Sequence, residues 1–327
     1  MFISRRNLLR LVAGAALVRA KGSQPGGSKN TVWQRRYRAS ATITLLSIPI
    51  VSRDDVGNGF ILIEEASHKI AIQFGAGSYP ESARGLNRLG FIQEVVAEKN
   101  RGEPAECTYF AFMTTSAEKN LEQAQRALDG SGASVPYAVS EAEGRNGSFV
   151  SKLDRVNLSS VVTWRDYPRL TDQIHAAVAA PDASQHPASK STEITLADGE
   201  AAPATFLYSV RSALMNAAVR TSLLLTFNAK EFLLRTTKEP DPSMGAHFAG
   251  RKLVSDPNRV ILLNAHLTDG TSGLVTSFKV WFESGQEHLP PLRFEYQAKP
   301  FLRLVFEFDP AASGPPIEFA LNKKENA

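Results

Sequence analysis

Six histidines, one cysteine and a scatter of serines and carboxylates are the groups of this chain that could do chemistry, and their spacing limits what they can do. His68, His175, His186, His247, His266 and His288 include no pair with HExxH spacing and no local grouping of two histidines with a carboxylate. His175 falls near Asp172 on a predicted helix, and His266 shares a strand side with Asn264, so both read as structural histidines. Cys107, alone, can form no internal disulfide and no cysteine-based zinc cage. Its place in the alternating run Glu106–Phe110 makes it a small buried strand residue. No GxSxG elbow occurs; Ser131 and Ser272 sit between glycines as turn serines. The pairs Gly57/Gly59 and Gly75/Gly77 lack the following helix and lysine of a phosphate loop. Asp54-Asp55 and Glu64-Glu65 are neighbours, and strand neighbours point to opposite faces, so neither pair converges on one atom. Asp54–Gly59 reads as a turn. These groups assign no catalytic residue, no metal ligand and no cofactor.

Charge points to location rather than chemistry. The 327 residues carry 37 Lys+Arg against 33 Asp+Glu. Residues 1–20 hold Arg5, Arg6, Arg10 and Arg19 and no acid, followed by an apolar run and Val18-Arg19-Ala20. That order is the grammar of an export signal, with cleavage after Ala20. Ser4-Arg5-Arg6-Asn7-Leu8-Leu9 has the twin-arginine pattern. The expected location is periplasmic or extracellular. Removing those four arginines leaves 33 basic and 33 acidic residues, a neutral balance that, with export, argues for no nucleic acid. Lys21, Lys29, Arg35, Arg36, Arg38 and Arg53 all precede the first acid, Asp54. Residues 21–53 are therefore a candidate for an anionic membrane surface.

The elements follow from hydrophobic period. Residues 21–32, rich in Gly and Ser, read as a flexible tether. Within Arg36–Ile50, Tyr37, Ala39, Ala41, Ile43 and Leu45 alternate with Arg and Thr, as in a half-buried strand. Phe60–Glu65 and Lys69–Phe74 predict a hairpin, and Phe91–Glu98 and Cys107–Thr114 two more strands. Helices are predicted at Glu118–Leu128, Pro168–Ala179 and Pro203–Ala217 from apolar residues at i, i+4 spacing. Residues 181–202 read as a linker or long loop between an N-terminal β-rich part (33–180) and a helix plus meander (203–310), with a tail over 311–327. In the meander, Phe278, Val280, Phe282, Phe294, Leu304 and Phe306 line one face, and Lys279, Glu283, Arg293, Glu295, Arg303 and Glu307 the other. The expected fold is α+β, mainly β: curved antiparallel sheet covered on one face by a few amphipathic helices.

Three segments carry a resemblance: the helix Phe206–Leu214, the strand Phe278-Lys279-Val280-Trp281-Phe282, and His288-Leu289-Pro290-Pro291-Leu292-Arg293-Phe294. Over residues 203–308 the chain resembles uncharacterised bacterial envelope proteins of the lipoprotein-carrier-like, half-barrel type. The resemblance implies a curved sheet that wraps helices and can hold an acyl chain between them. A non-enzymatic module binding a lipid, a lipidated protein or another hydrophobic ligand is the leading expectation. Its candidate lining is Leu207, Val210, Phe278, Val280, Phe282, Phe294, Leu304 and Phe306. The alternatives are an enzyme whose site assembles from distant segments, and a structural or interaction protein that offers a sheet edge to a partner strand.

Overall fold

The computed structural model describes residues 31–321 except 46–47, 101–102, 115–121, 123–124, 127–134, 146–147, 180–189, 196–203, 229, 287–290, 300 and 319. The export signal with Arg5, Arg6 and Ala20, most of the tether, and most of the helix expected at Glu118–Leu128 lie outside the described residues.

The protein is mainly β. Its strands are β1 (Thr31–Leu45), β2 (Ile48–Ala66), β3 (Lys69–Ser78), β4 (Leu89–Asn100), β5 (Glu103–Thr114), β6 (Val135–Arg145), β7 (Ser148–Leu158), β8 (Lys190–Thr195), β9 (Arg220–Phe227), β10 (Lys230–Pro240), β11 (Val260–Asp269), β12 (Val275–Glu283), β13 (Pro291–Lys299) and β14 (Leu302–Phe308). Three α-helices have both bounds among the described residues: α1 (Tyr167–Ala179), α2 (Phe206–Met215) and α3 (Pro242–Gly250). All fourteen strands form one sheet in the order β8-β7-β6-β5-β4-β3-β2-β1-β14-β13-β12-β11-β10-β9. The chain walks outward from β1 to β8, crosses through α2, and walks back from β9 to β14, which pairs antiparallel with β1. β8 lies inside the segment read as a linker, and strands from both sides of that segment share the one sheet.

The sheet rolls into a barrel-like shape and closes by packing, because no ladder joins β8 to β9 among the described residues. The β9–β10 turn docks on the inner face of β5–β7. Asn228 donates its N–H to Tyr109 Oη at 2.8 Å, and that oxygen also bonds Ser140 (2.7 Å) and Ser151 (3.1 Å). Phe227 packs on Tyr109 and Phe206, with ring centroids 5.7 and 5.8 Å apart. Inside the roll, the apolar inner faces of both flanks meet α2 in one core.

The outer face is not uniformly polar, which corrects the expectation of a single apolar face. Trp281, Leu262, Val260 and Leu292 form a second layer under Phe248 of α3. Asp241 starts that helix by accepting from Met244 N at 3.0 Å, with Pro242 in the first turn. Asp241 also accepts from Trp281 Nε1 at 2.8 Å, which ties the helix to the strand it covers. The expected cross-strand charge pairs are present beside this layer: Arg293 bonds Glu307 at 2.8 Å and also pairs with Glu295.

Over β2–β7 the outer cover is α1, the 3-10 turn Trp164–Asp166 and the C-terminal tail. Asp54–Gly59, expected as a turn, lies within β2 instead. Its extra residues are absorbed as a bulge between the pairs Ala39↔Gly57 and Ala41↔Arg53, with Asp55 at φ 56°. The glycines serve close approach. A Cβ on Gly77 would lie 2.3 Å from the Trp164 side chain, so the indole rests on bare backbone, and its Nε1 donates to Asn58 Oδ1. The tail then crosses β1–β3: Arg36 donates to Pro315 O (2.9 Å), Gln73 to Glu318 O (2.9 Å), and Ala320 N to Glu64 (2.6 Å).

Candidate functional site: the open end of the roll

Adjacent hairpins of an antiparallel sheet turn at opposite ends. The β1–β2, β3–β4, β9–β10, β11–β12 and β13–β14 connections therefore share one end, and β2–β3, β4–β5, β10–β11 and β12–β13 share the other. The two ends of the interior differ in what fills them.

The second end is plugged by α2, whose residues Phe206 to Val210, Ala213 and Leu214 are all buried. A helix leaves its first N–H groups and last carbonyls unpaired and carries a dipole, so burial demands partners of matching charge. Strand side chains supply them. Glu94 of β4 accepts from Thr205 Oγ1 (2.5 Å), Leu207 N (2.8 Å) and Tyr208 N (2.9 Å) at the helix start. Lys238 of β10 donates to Leu214 O (3.0 Å) and to Asn216 O at its end. Between them Tyr208 Oη donates to Glu98 (2.6 Å), and Arg211 pairs with Glu65. Burial pushes the Glu94 carboxyl up to about 7, against the pull of Thr205 and the backbone N–H groups of Leu207, Tyr208 and Phe206. Cys107 on the same inner face is buried, and burial together with the nearby Glu94 pushes its thiol up to about 12, which makes it inert as a nucleophile.

Toward the open end the interior thins. Along the inner face of β1, exposure is 0% at Tyr37, 5% at Ala39 and 44% at Ile43, with Ala41 half-buried between them. The antiparallel neighbour β14 shows the same trend toward this end: Phe306 is buried, and Leu304 and Leu302 are half-buried. Registers group these residues in rows. Tyr296↔Leu304↔Ala41↔Arg53 forms one row, and Leu302↔Ile43↔Val51 the next one out. Ala76, Val56 and Ala298 are half-buried beside the same core. The floor is aromatic: Phe294 stacks on Phe306 at 4.7 Å, and Phe74 meets both edge-on at 5.9 and 6.3 Å. Small residues on the wall (Ala41, Gly59, Ala76, Ala298) and an aromatic floor leave a partly covered apolar surface, the bay, with Arg53, bonded to Ser82 O at 3.4 Å, at its rim.

The eight sequence-predicted lining residues converge in space. Leu207 and Val210 on α2 and Phe278, Val280, Phe282, Phe294 and Phe306 on the strands are buried together, and Leu304 packs against them half-exposed. Of the eight, Leu304 lies in the wall of the bay and Phe294 and Phe306 form its floor. Ala41 and Ile43 come from the strand alternation, whereas Glu94 and Lys238 escaped notice. A signal for Glu94 was present, since Ile92, Glu94 and Val96 share one face of an apolar strand. The histidines do not converge among the described residues. His175 stacks on Phe110 at 4.0 Å, His266 bonds Ser277 (2.9 Å) and His247 bonds Glu307 (3.0 Å).

Four of the six early cations have intramolecular roles, Arg53 among them through a bond from its Nη1 to Ser82 O at 3.4 Å. Arg35 is buried against Phe308 and donates to Pro291 O at 2.9 Å, Arg36 holds the tail, and Arg38 pairs with Asp309 at 2.6 Å. Lys21 and Lys29 lie outside the described residues.

Among solved structures, the chain is similar to one described as a beta-barrel-like protein of a domain of unknown function, DUF1849, from Brucella abortus. The two share 10% sequence identity over 84% of this chain and 94% of that chain, with a TM-score of 0.40. No protein-family model and no curated protein matches the chain.

Proposed function

We propose that the protein is a non-enzymatic binding module of the cell envelope that takes the acyl chain of a lipid, or a similarly apolar ligand, into the bay at the open end. The observation that carries this reading is the exposure gradient along the inner faces of β1 and β14. Apolar side chains that face a core are normally covered, and here, among the described residues, the cover stops before the wall does. Aliphatic and small residues over an aromatic floor suit a hydrocarbon chain, and Arg53 in the outer wall suits an acidic headgroup. The envelope location rests on the twin-arginine-like N-terminus. The lipoprotein-carrier-like resemblance agrees with an apolar ligand held within a curved sheet.

Titration with cis-parinaric acid, a fluorescent fatty acid, tests the reading. Saturable binding is expected, weakened about tenfold or more in Leu304→Asp. Ala41→Leu, which fills the bay without adding charge, should weaken it as well. Absence of saturable binding, or wild-type affinity in both folded variants, overturns the proposal.

A further inference from the structure

Nine large apolar side chains are exposed among the described residues, and six of them lie at the open end: Ile43, Val51, Leu86, Leu274, Val275 and Phe301. They come from four different connections, β1–β2, β3–β4, β11–β12 and β13–β14. Val51 is 42%, Phe301 50% and Val275 58% exposed. Scattered exposed apolar residues need no explanation, but their concentration on the tips at one end of a roll does.

Local structure holds some of these tips outward. Asp269, itself buried, accepts from Thr271 N and Ser272 N at 2.9 Å each and pairs with Lys230, which fixes the turn before Leu274 and Val275. The β1–β2 tip reads Ile43-Thr44-Leu45-Leu46-Ser47-Ile48-Pro49-Ile50-Val51, and no charged residue occurs between Arg38 and Arg53. A soluble hairpin tip is ordinarily polar and rich in Gly, Asn or Asp. Among the described residues the open end carries no net surplus of unpaired cations: Lys230 is paired with Asp269, Arg303 lies 3.6 Å from Glu295, Arg53 bonds Ser82 O, and the exposed Asp54 and Glu231 offset Arg53 and Arg84 in number.

We propose that the open end docks on a lipid bilayer, with the tips bearing Val51, Val275 and Phe301 entering its interfacial layer. Separate apolar tips at one end of a rigid roll fit a planar apolar phase better than a single groove-bound peptide. The apolar wall of the bay is continuous with them through the pair Ile43↔Val51. The balanced charge makes the attachment hydrophobic rather than electrostatic, so it does not require anionic lipid. This inference stands on the tips, apart from the ligand reading, which stands on the inner wall.

Flotation of the full chain with vesicles of pure phosphatidylcholine is the test. The wild type is expected to co-float, with little change between about 0.1 and 1 M salt, since screening weakens only charge attraction. Val51→Glu/Val275→Glu/Phe301→Glu, all exposed sites, is expected to lower partitioning about tenfold or more. Val219→Glu/Leu224→Glu, on exposed apolar residues of β9 and its approach, should leave it unchanged. Four results overturn the inference: no flotation, flotation abolished by salt, equal loss in the β9 variant, or self-association of the wild type that the triple variant abolishes. The last would make the tips a contact between two copies. A chain that binds cis-parinaric acid but does not float loses this inference alone.

Discussion

The two ends of the roll solve the same problem in opposite ways. Both are lined by the inner faces of the same strands, so both inherit apolar walls from one alternation pattern. At the plugged end a helix fills the space, and its polar ends are met by Glu94 and Lys238 reaching in from strands on opposite flanks. At the open end no comparable helix enters among the described residues, several wall positions are alanine or glycine, and exposure rises to 44% at Ile43. Among the described residues the fully buried contacts concentrate in the plugged half and the aromatic floor. Substitutions at the two ends should therefore separate into those that unfold the protein and those that change what it binds.

The largest effect is expected at the floor that divides the halves. Phe294→Ala removes a fully buried ring in contact with Tyr37, Phe74 and Phe306, and should cost about 3–5 kcal/mol in denaturant unfolding. Next comes the plug. Glu94→Ala leaves the Thr205 hydroxyl and the N–H groups of Leu207 and Tyr208 without their acceptor in a buried site, a cost of about 2–3 kcal/mol. The plug also predicts a pH dependence. The folded-state pKa of Glu94, about 7, lies above its ordinary value of 4.5, so the native state holds the proton more tightly than the unfolded chain. The resulting stabilisation is full below pH 4.5 and is lost as pH rises through 7. Unfolding midpoints measured between these limits should fall with pH in the wild type and lose that component in Glu94→Gln.

A smaller effect with the opposite sign is expected at the open end. Asp269 is held below its ordinary pKa: burial raises it, but Lys230 and the N–H groups of Ser272 and Thr271 outweigh burial. Its contribution is present above pH 3.8 and disappears as pH falls through the depressed value. Asp269→Asn should cost about 1–2 kcal/mol at neutral pH and remove part of the acid sensitivity, measured as the unfolding midpoint against pH.

How far the sequence foretells this division depends on the range of the interaction. The alternations in β4, β5 and β12–β14 and the periodicity of α1 and α2 are local, and they place those elements within a few residues. The inward set Phe278, Val280, Phe294 and Phe306 followed from period two alone. What decides the site is non-local. That β1 lies beside β14 depends on pairings some 260 residues apart, such as Ala41↔Leu304, and no local pattern specifies them. Glu94 lies inside the strand predicted at Phe91–Glu98, but no local pattern assigns it a role, because its partner, the start of α2, lies more than 110 residues away. Asp54–Gly59 carries turn chemistry, but its glycines answer to the neighbouring strand: a Cβ on Gly57 would meet Gly77 O, and one on Gly59 would meet Gly75 O and Phe306. Helix α3 was signalled by Asp241-Pro242 and passed over, since its nine residues lack a clear apolar stripe.

The smallest effect on stability should accompany the clearest effect on binding. Ile43 sits in the outermost row of the inner wall, between Leu302 and Val51, and its side chain is 44% exposed. Ile43→Ser removes apolar area that is already half in water, so unfolding free energy should change by less than about 0.5–1 kcal/mol. If the open end is an unfilled extension of the core, the same change takes apolar surface from whatever occupies the bay, and cis-parinaric acid affinity should fall about threefold to tenfold. The buried counterpart on the same strand face, Ala39→Ser, should leave affinity alone while costing stability, because its row is closed by Phe306 and Gly57. Measured together, the two variants locate the boundary between core and mouth. Equal behaviour at the two positions would mean that the gradient along β1 divides nothing.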